Sequence, residues 1–289
     1  MSIINDLKIH YKTGGFAQQI IFWNVGLFAI PLIFLGILSL FNGQFQYLTY
    51  FHLSSDISEV LKKPWTIITY GFFHGDFLHL LFNMIMLFFS ANLFKTFFNE
   101  KQFLNFYLSS LIFSGLIFII SSYIFPAFSN HVPLIGASGA VMALLMATTV
   151  YKPDFYIRLL LIGQVRLIYL TAVFIVIDFI QLSSSNSRGH IAHLGGVIFG
   201  YLFVYQIKKG KNIAIPFYEW IQKVASYFKP KQKTPFQNVY RNNNPAPQSF
   251  NNNKSMHQKK IDAILDKISA SGYDSLTKEE KEFLFNVKP

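Results

Sequence analysis

The stretch Gly136-Ala137-Ser138-Gly139 opens an apolar run that continues to Tyr151. A serine between glycines at the start of an apolar helix has an accessible hydroxyl, because glycine adds no side chain beside it. The first backbone N–H groups of a helix lack an intrahelical partner and lie at the positive end of the helix dipole. The stretch therefore predicts a helix whose first turn presents a hydroxyl and favours negative charge.

Two other apolar runs carry polar groups that match this serine. His79 and Asn83 are four residues apart, so a helix places them on one face. His193 is followed three and seven positions later by Gly196 and Gly200, a spacing of small residues that lets membrane helices pack closely. Polar groups within hydrocarbon are costly and are functional candidates by default.

The composition indicates a membrane protein, with 52% apolar residues, 33 Phe and only 13% charged residues among 289. Six apolar runs lie at residues 18–41, 77–98, 103–125, 138–151, 167–182 and 190–207. Most of them approach the roughly 20 residues that cross a bilayer. The run from Ser138 is shorter, which suits a helix that begins below the membrane surface under a loop. The fold class predicted is all-α, a polytopic membrane protein built as a six-helix bundle.

The basic residues predict the orientation of these runs. They concentrate at one set of alternate connections and both ends, at Lys8, Lys12, Lys95, Lys101, Lys152, Arg158, Arg166, Lys208, Lys209 and Lys211. The other connections hold only Lys62, Lys63 and Arg188. By the positive-inside rule both termini are expected to be cytoplasmic. Ser138, His79 and His193 then lie at one depth, toward the outer face.

Three parts are predicted along the chain. Residues 1–17 form a cytoplasmic lead with a possible interfacial helix, and residues 18–207 form the membrane core, including a long outer connection at 42–75. Residues 208–289 form a basic cytoplasmic tail with 15 basic and 7 acidic residues. Its Asn-, Pro- and Gln-rich middle, 237–254, is expected to be disordered, and its end is expected to form short helices.

The charge and the residue types limit the partners. The net charge of +11 is concentrated in the tail, which favours anionic lipid as its partner, and we expect no nucleic acid. The absence of cysteine excludes a disulfide framework. We expect no metal and no cofactor, because the chain has no His-Glu-x-x-His motif and few acidic companions for its histidines.

The three polar motifs together predict acyl-transfer chemistry. Ser138 is the predicted nucleophile, and His193 is the predicted general base and acid. The side chains of His79 and Asn83, with the backbone N–H of Ser138, are predicted donors to an oxyanion. Gly136, Gly139, Gly196 and Gly200 are predicted to shape the site by allowing close approach of backbone.

On these motifs the chain resembles the rhomboid intramembrane serine proteases over residues 18–207. The matching residues are the Gly-x-Ser-Gly at 136–139, the His79 and Asn83 pair, and His193 with Gly196 and Gly200. The resemblance implies six membrane helices, a Ser138–His193 dyad and a cavity open to the outside. It also implies cleavage of single-span membrane proteins near their outer membrane boundary. Residues 261–285 are similar to a tail of some bacterial rhomboids, from which we expect a bacterial inner membrane location.

The chain also departs from this family's pattern at three places. Trp65-Thr66 stands where Trp-Arg is frequent, which bears on the packing of the outer connection. Met142 stands four residues after the serine, where many members carry an aromatic residue that supports the imidazole. Residues 92–95 replace the usual charged ending of the second helix.

Several alternatives remain open in the sequence. His190 competes with His193 as the base, but glycines follow only His193 at the expected spacing. Asp178 is interpreted as structural, because the family works without a carboxylate partner. A catalytically inactive rhomboid-like factor that binds membrane proteins is the main alternative function. A metal- or haem-binding protein using His74, His79, His190 and His193 is a further one.

Overall fold

The computed structural model describes residues 3–125, 133–159, 163–183, 187–228 and 252–286. The chain divides into two compact units, Met1–Pro230 and Lys231–Pro289. In the first unit the α-helices are α1 (Ile3–Thr13), α2 (Gly15–Ser39), α3 (Ile57–Lys62), α4 (Thr66–Thr69), α5 (Phe77–Lys95), α6 (Glu100–Ile124), α7 (Ser138–Tyr151), α8 (Leu167–Ile180), α9 (Ser187–Lys208) and α10 (Phe217–Phe228). Short 3-10 helices lie at Tyr47–Tyr50, Tyr70–Phe72 and Gln181–Ser183.

Every predicted apolar run forms a helix, which confirms a helical polytopic membrane protein. Among the described residues, four helices are long and apolar enough to cross a bilayer, namely α2, α5, α6 and α9. Two shorter apolar helices, α7 and α8, match the remaining runs. The only sheet in the described part of the chain is a hairpin of β1 (Tyr156–Leu159) and β2 (Gly163–Arg166), between α7 and α8.

The packing puts α6 and α7 at the centre. In the most apolar stretch of α6, 67% of the residues are buried, whereas only 11% are buried in the corresponding stretch of α2. The large side chains of α2 face outward, as expected for a helix in contact with lipid. The sequence of α7 contains several small residues, and ten of its 14 residues are buried. Its short length and small side chains let α5, α6 and α9 approach it closely.

Local capping explains where the two helices before α7 begin. Asp76 precedes α5 and accepts a hydrogen bond from the His79 N–H at 2.8 Å. Asn99 and Gln102 form a reciprocal capping box at the start of α6. Each pair satisfies N–H groups that would otherwise have no partner in the helix.

The connection between α2 and α5 is folded back onto the segment that leads into α7. Leu53 and Leu134 exchange two backbone hydrogen bonds, at 3.0 and 2.9 Å. The Gly136 N–H donates to the Tyr70 carbonyl at 2.9 Å. In the same connection the Trp65 indole N–H donates to the Tyr50 carbonyl at 2.8 Å, so Trp65 is held although no arginine follows it.

A helix that the sequence analysis did not predict, α10, completes the first unit. The side chain of Asn105 in α6 accepts from the Tyr218 N–H at 2.7 Å and donates to Glu219 at 3.2 Å. The Ser109 hydroxyl accepts from the Ile215 N–H at 2.8 Å. Buried polar side chains of α6 therefore provide the attachment that the hydrophobic pattern alone did not indicate.

The second unit contains α11 (Asn252–Ser271), a 3-10 turn at Tyr273–Ser275 and α12 (Lys278–Asn286). The predicted Thr cap is confirmed, since Thr277 and Glu280 form a reciprocal box and Lys267 binds the Glu280 carboxylate at 2.9 Å. The Thr277 N–H and the Lys267 ammonium hold the pKa of Glu280 below its ordinary value. Of the predicted disorder at 237–254, all but the last three residues lie outside the described residues, and those three begin α11.

Candidate active site

Ser138 is the first residue of α7, as predicted. The side chain of the N-cap residue, Ala137, makes no hydrogen bond to the first N–H groups of α7. Gly136 has φ +116°, a conformation that other residues rarely adopt. The Gly136 N–H is hydrogen-bonded to the Tyr70 carbonyl. This contact fixes the backbone just before Ser138 and so helps to place the serine hydroxyl at the start of α7.

The structure brings His193 to this serine. The Nε2 atom of His193 lies 2.7 Å from the Ser138 hydroxyl oxygen, across a separation of 55 residues. The spacing of glycines makes the approach possible. A Cβ added at Gly196 would collide with the Gly139 carbonyl oxygen, and one at Gly200 would lie 2.5 Å from the Ala143 carbonyl oxygen.

Asp178 lies on the other side of the His193 ring. Its Oδ1 atom is 2.7 Å from His193 Nδ1 and 2.7 Å from His190 Nδ1. The interpretation of Asp178 as structural did not anticipate this contact, which the packing of α8 against α9 creates. His190 is buried, and its Nδ1 atom is hydrogen-bonded to the same carboxylate.

Sequence reasoning had a signal for Asp178 that it discounted. Asp178 is the one charged residue in the apolar sequence of α8. An ionisable side chain in a membrane helix usually faces the protein interior and has a polar partner. His190 and His193 are three residues apart, on the neighbouring helix and on one face, so they were the available partners.

Of the α5 pair, His79 lies beside the serine. The His79 Nε2 atom is 2.7 Å from the position a Cβ would take at Gly136, and the Ser138 hydroxyl oxygen is 3.8 Å from that same position. The Asn83 amide instead donates to the His79 carbonyl at 2.8 Å, and its Oδ1 atom is buried without a partner among the described residues. His79 thus lies directly beside Gly136 and Ser138, whereas the Asn83 amide is hydrogen-bonded within its own helix.

The histidines of the metal alternative fall into two separate pairs. His74 and His79 pack edge to face, with ring centroids 5.0 Å apart, and His74 is almost fully buried. Asp178, His190 and His193 form the one group of metal-ligating types found among the described residues. Their oxygen–nitrogen separations of 2.7 Å suit hydrogen bonds, whereas tetrahedral zinc at about 2.0–2.1 Å would hold its ligand atoms about 3.3 Å apart.

A family profile shows to which protein family this chain belongs. The profile described as "Rhomboid domain" matches residues 61–209, more than half of the 289 residues, and includes Ser138, His193, Asp178 and the α5 pair. The chain belongs to the rhomboid family. A second profile, "Family of unknown function (DUF6576)", matches residues 247–286 of this rhomboid.

Among known proteins, this rhomboid is similar to mitochondrial presenilin-associated rhomboid-like proteins. It is 26% identical over 162 residues to the human protein, which covers 52% of the chain and 39% of that protein. The bovine protein is 28% identical over 163 residues, covering 52% and 40%. Zebrafish protein A is 26% identical over 163 residues, covering 55% and 41%. The chain thus spans about two fifths of the length of these relatives.

Proposed function

We propose that this rhomboid is an intramembrane serine endopeptidase that uses Ser138 as nucleophile and His193 as general base and acid. The observation that carries the proposal is the 2.7 Å contact between His193 Nε2 and the Ser138 hydroxyl at the start of α7. A nucleophile and a base within hydrogen-bond reach, with the base oriented by a third group, are the diagnostic geometry of covalent catalysis. The substrate class proposed is single-span membrane proteins, cut near their outer membrane boundary.

In the first step the Ser138 oxygen attacks the carbonyl carbon of the substrate, and its proton passes to His193 Nε2. The carbonyl oxygen becomes an oxyanion, for which the Ser138 N–H at the start of α7 is a donor. His79 and, after rotation, Asn83 are the proposed additional donors. The C–N bond then breaks, and the leaving amine takes the proton from His193, which leaves an ester on Ser138.

In the second step a water molecule attacks the ester carbon while His193 Nε2 takes its proton. The tetrahedral species collapses by breaking the bond to the Ser138 oxygen, which recovers the proton from His193. The products are two peptide fragments with a new carboxylate and a new amine. Atoms and charge balance with water as the only co-substrate.

The test uses purified full-length protein in liposomes with a model single-span substrate. Ser138→Ala and His193→Ala should each abolish cleavage while leaving the thermal unfolding midpoint in detergent within a few degrees of the parent. A fluorophosphonate should label Ser138 in the parent, because the activated oxygen attacks phosphorus. Full cleavage by purified Ser138→Ala would refute the proposal.

The matched control is His190→Ala, which removes a neighbouring imidazole without touching Ser138. It should retain a substantial fraction of the parent's cleavage rate, because His193 still contacts both Ser138 and Asp178. If His190→Ala is inactive and His193→Ala is active, the assignment of the base is wrong.

A second candidate function is supported by the names of the relatives. These names state that the proteins are rhomboid-like and associated with a presenilin, and they state no catalytic activity. On that reading this rhomboid is an inactive factor that binds membrane proteins. The two candidates separate cleanly, since an inactive factor should capture a single-span protein but show neither cleavage nor fluorophosphonate labelling in the parent chain.

The proposed setting is a membrane with both termini on the positively charged, cytoplasmic side. The distribution of Lys and Arg supports the orientation, and the tail's similarity to bacterial rhomboids supports a bacterial inner membrane. The names of the relatives are mitochondrial, so a mitochondrial membrane is the alternative location. Localisation of the tagged chain in its source cells would distinguish the two. The basic tail after Lys208 is the proposed contact for anionic lipid.

A further inference from the structure

The carboxylate of Asp178 contacts His193, the proposed base, on the side of the ring away from Ser138. The side chain is 6% exposed, and its Oδ1 atom lies 2.7 Å from the Nδ1 atoms of both His190 and His193. Its Oδ2 atom is buried and has no hydrogen-bond partner among the described residues. The His193 ring is therefore held at both ends, by α8 through Nδ1 and by α7 through Nε2.

The contact also selects the form of the imidazole. An ionised carboxylate only accepts hydrogen bonds, so the His193 nitrogen that faces it carries the proton. In the neutral ring the other nitrogen, Nε2, then has a free lone pair and accepts from the Ser138 hydroxyl. This is the tautomer that a general base requires, and the opposite tautomer would present an N–H to Ser138.

The residue one turn after Ser138 on α7 also bears on how the imidazole is held. Met142 lies four residues after Ser138 and one turn along α7, and its side chain is buried but offers no ring to stack on the imidazole. The Nδ1 atom of His190, one turn before His193, lies 2.7 Å from the same oxygen and so restrains the carboxylate itself. The α8–α9 contact thus supplies an orienting contact at the imidazole where residue 142 has no aromatic ring.

We propose that Asp178 is a positioning residue that fixes the tautomer and orientation of His193, so that Ser138, His193 and Asp178 work as a triad. The proposal rests on the proposed function for its effect on rate. Asp178 does not take a proton in any step. It stabilises the imidazolium that forms when His193 accepts the Ser138 proton, and His190 keeps the carboxylate in place.

The first test compares Asp178→Asn with the parent in cleavage of the model substrate. The amide can donate to Nδ1 and thereby favour the wrong tautomer, so kcat should fall by about 10² to 10⁴-fold while KM changes less than threefold. The rate of fluorophosphonate labelling at Ser138 should fall in parallel. A kcat for Asp178→Asn within threefold of an active parent would overturn the proposal and leave the Ser138–His193 mechanism standing.

The control variant is Thr171→Val on the same helix. Thr171 lies seven residues before Asp178, on the same face of α8, and its hydroxyl bonds Thr149 of α7 at 2.7 Å. Its loss disturbs the seating of α8 without touching the imidazole. Thr171→Val should keep kcat within about threefold of the parent, and a loss as large as that of Asp178→Asn would mean that Asp178 acts only by seating α8.

The second test is independent of activity. Nitrogen-15 NMR of histidine-labelled full chain, assigned with His190→Gln and His193→Gln, should show a protonated Nδ1 and unprotonated Nε2 for His193 in the parent. In Asp178→Asn the pattern should shift toward protonated Nε2. If the parent neither cleaves nor labels but shows this tautomer, the proposed function fails and the positioning role stands. An unprotonated Nδ1 in the parent, or stoichiometric bound zinc that removes the Nδ1–H signals, would overturn the role.

Discussion

At the scale of single residues, some of the proposed catalytic groups already contact each other and others are hydrogen-bonded elsewhere. Ser138 and His193 are in contact, whereas the Asn83 amide is bonded to a carbonyl of its own helix at 2.8 Å. Such a bond is easily exchanged, because the same N–H can donate to an oxyanion when one forms. The Oδ1 atom of Asn83 is buried without a hydrogen-bond partner in the described part of the chain, so the hydrogen-bonding capacity of this amide is not fully used.

The residue-scale prediction concerns the donors on α5. Asn83→Ala or His79→Ala should slow cleavage by up to about a thousandfold, roughly 2.7–4 kcal/mol, without abolishing it, because the Ser138 N–H and the other donor remain. A fluorophosphonate should label Ser138 in Asn83→Ala more slowly than in the parent, and should not label His193→Ala appreciably.

Ser90→Ala provides the control for this prediction. Ser90 is also on α5, is buried, and donates to a carbonyl four residues back at 2.7 Å, as Asn83 does. It is two turns farther from the site. Parent rates in both His79→Ala and Asn83→Ala, in folded samples, would make these residues helix contacts only.

At the scale of elements, the distance between α7 and α9 decides whether the serine and the imidazole meet. The two helices contact through backbone, with Gly196 against Gly139 and Gly200 against Ala143. Small residues permit this approach in membranes, where van der Waals packing replaces the hydrophobic effect between helices. Gly139 directly follows Ser138, so a shift of α9 moves His193 relative to its partner.

The element-scale prediction is that Gly196→Ala separates these helices. The added methyl would overlap a backbone carbonyl, which cannot rotate away, so overpacking should cost about 1–3 kcal/mol or more. We expect a lower unfolding midpoint in detergent and at least a tenfold loss of cleavage. The control is Gly26→Ala in α2, where, apart from the neighbouring residues and backbone of the helix itself, no atom of the described residues lies within 4 Å of the added Cβ. Alanine forms helices better than glycine, so the control should be neutral or slightly stabilising, and an equal loss in both variants would refute the packing argument.

At the scale of the whole molecule, the proposed orientation in the bilayer rests on the distribution of Lys and Arg. The connection at 42–75 and the start of α7 are joined by the Leu53–Leu134 bridge, so they belong to one side. Lys12 and Lys211 lie before α2 and after α9, at the ends expected on the opposite side. The absence of cysteine makes this arrangement directly testable, because each introduced cysteine is unique.

The whole-molecule prediction is that Lys12→Cys and Lys211→Cys react with a membrane-impermeant maleimide only after inverted vesicles are prepared or the membrane is opened. Gln44→Cys should react from the outside of intact cells. All three positions are exposed, so protection reports the side of the membrane rather than burial. The cysteine-free parent gives the background. Reaction of Lys211→Cys from the outside in intact cells would reverse the proposed orientation.

Much of this rhomboid follows from sequence because bilayer physics acts locally. A helix forms wherever an apolar run must satisfy its own backbone, so the predicted starts of α5, α7 and α8 agree with those in the structure. The Thr277 cap was predictable for the same reason, since its partners are three residues away. The Ser138, His193 and His79 motifs were readable because costly polar groups in apolar runs require an explanation.

Tertiary structure alone decided which partner each polar group takes. The sequence determined that Asp178 lies in an apolar helix, but only the packing of α8 on α9 placed its oxygen on both His190 and His193. The attachment of α10 to Asn105 likewise joins residues more than a hundred positions apart. Hydropathy fixes the length and position of a helix along the chain, whereas its rotation and neighbours depend on side-chain contacts between distant segments. A catalytic site consists of such contacts. Its residues could therefore be recognised in the sequence, whereas the contacts between them could be seen only in the structure.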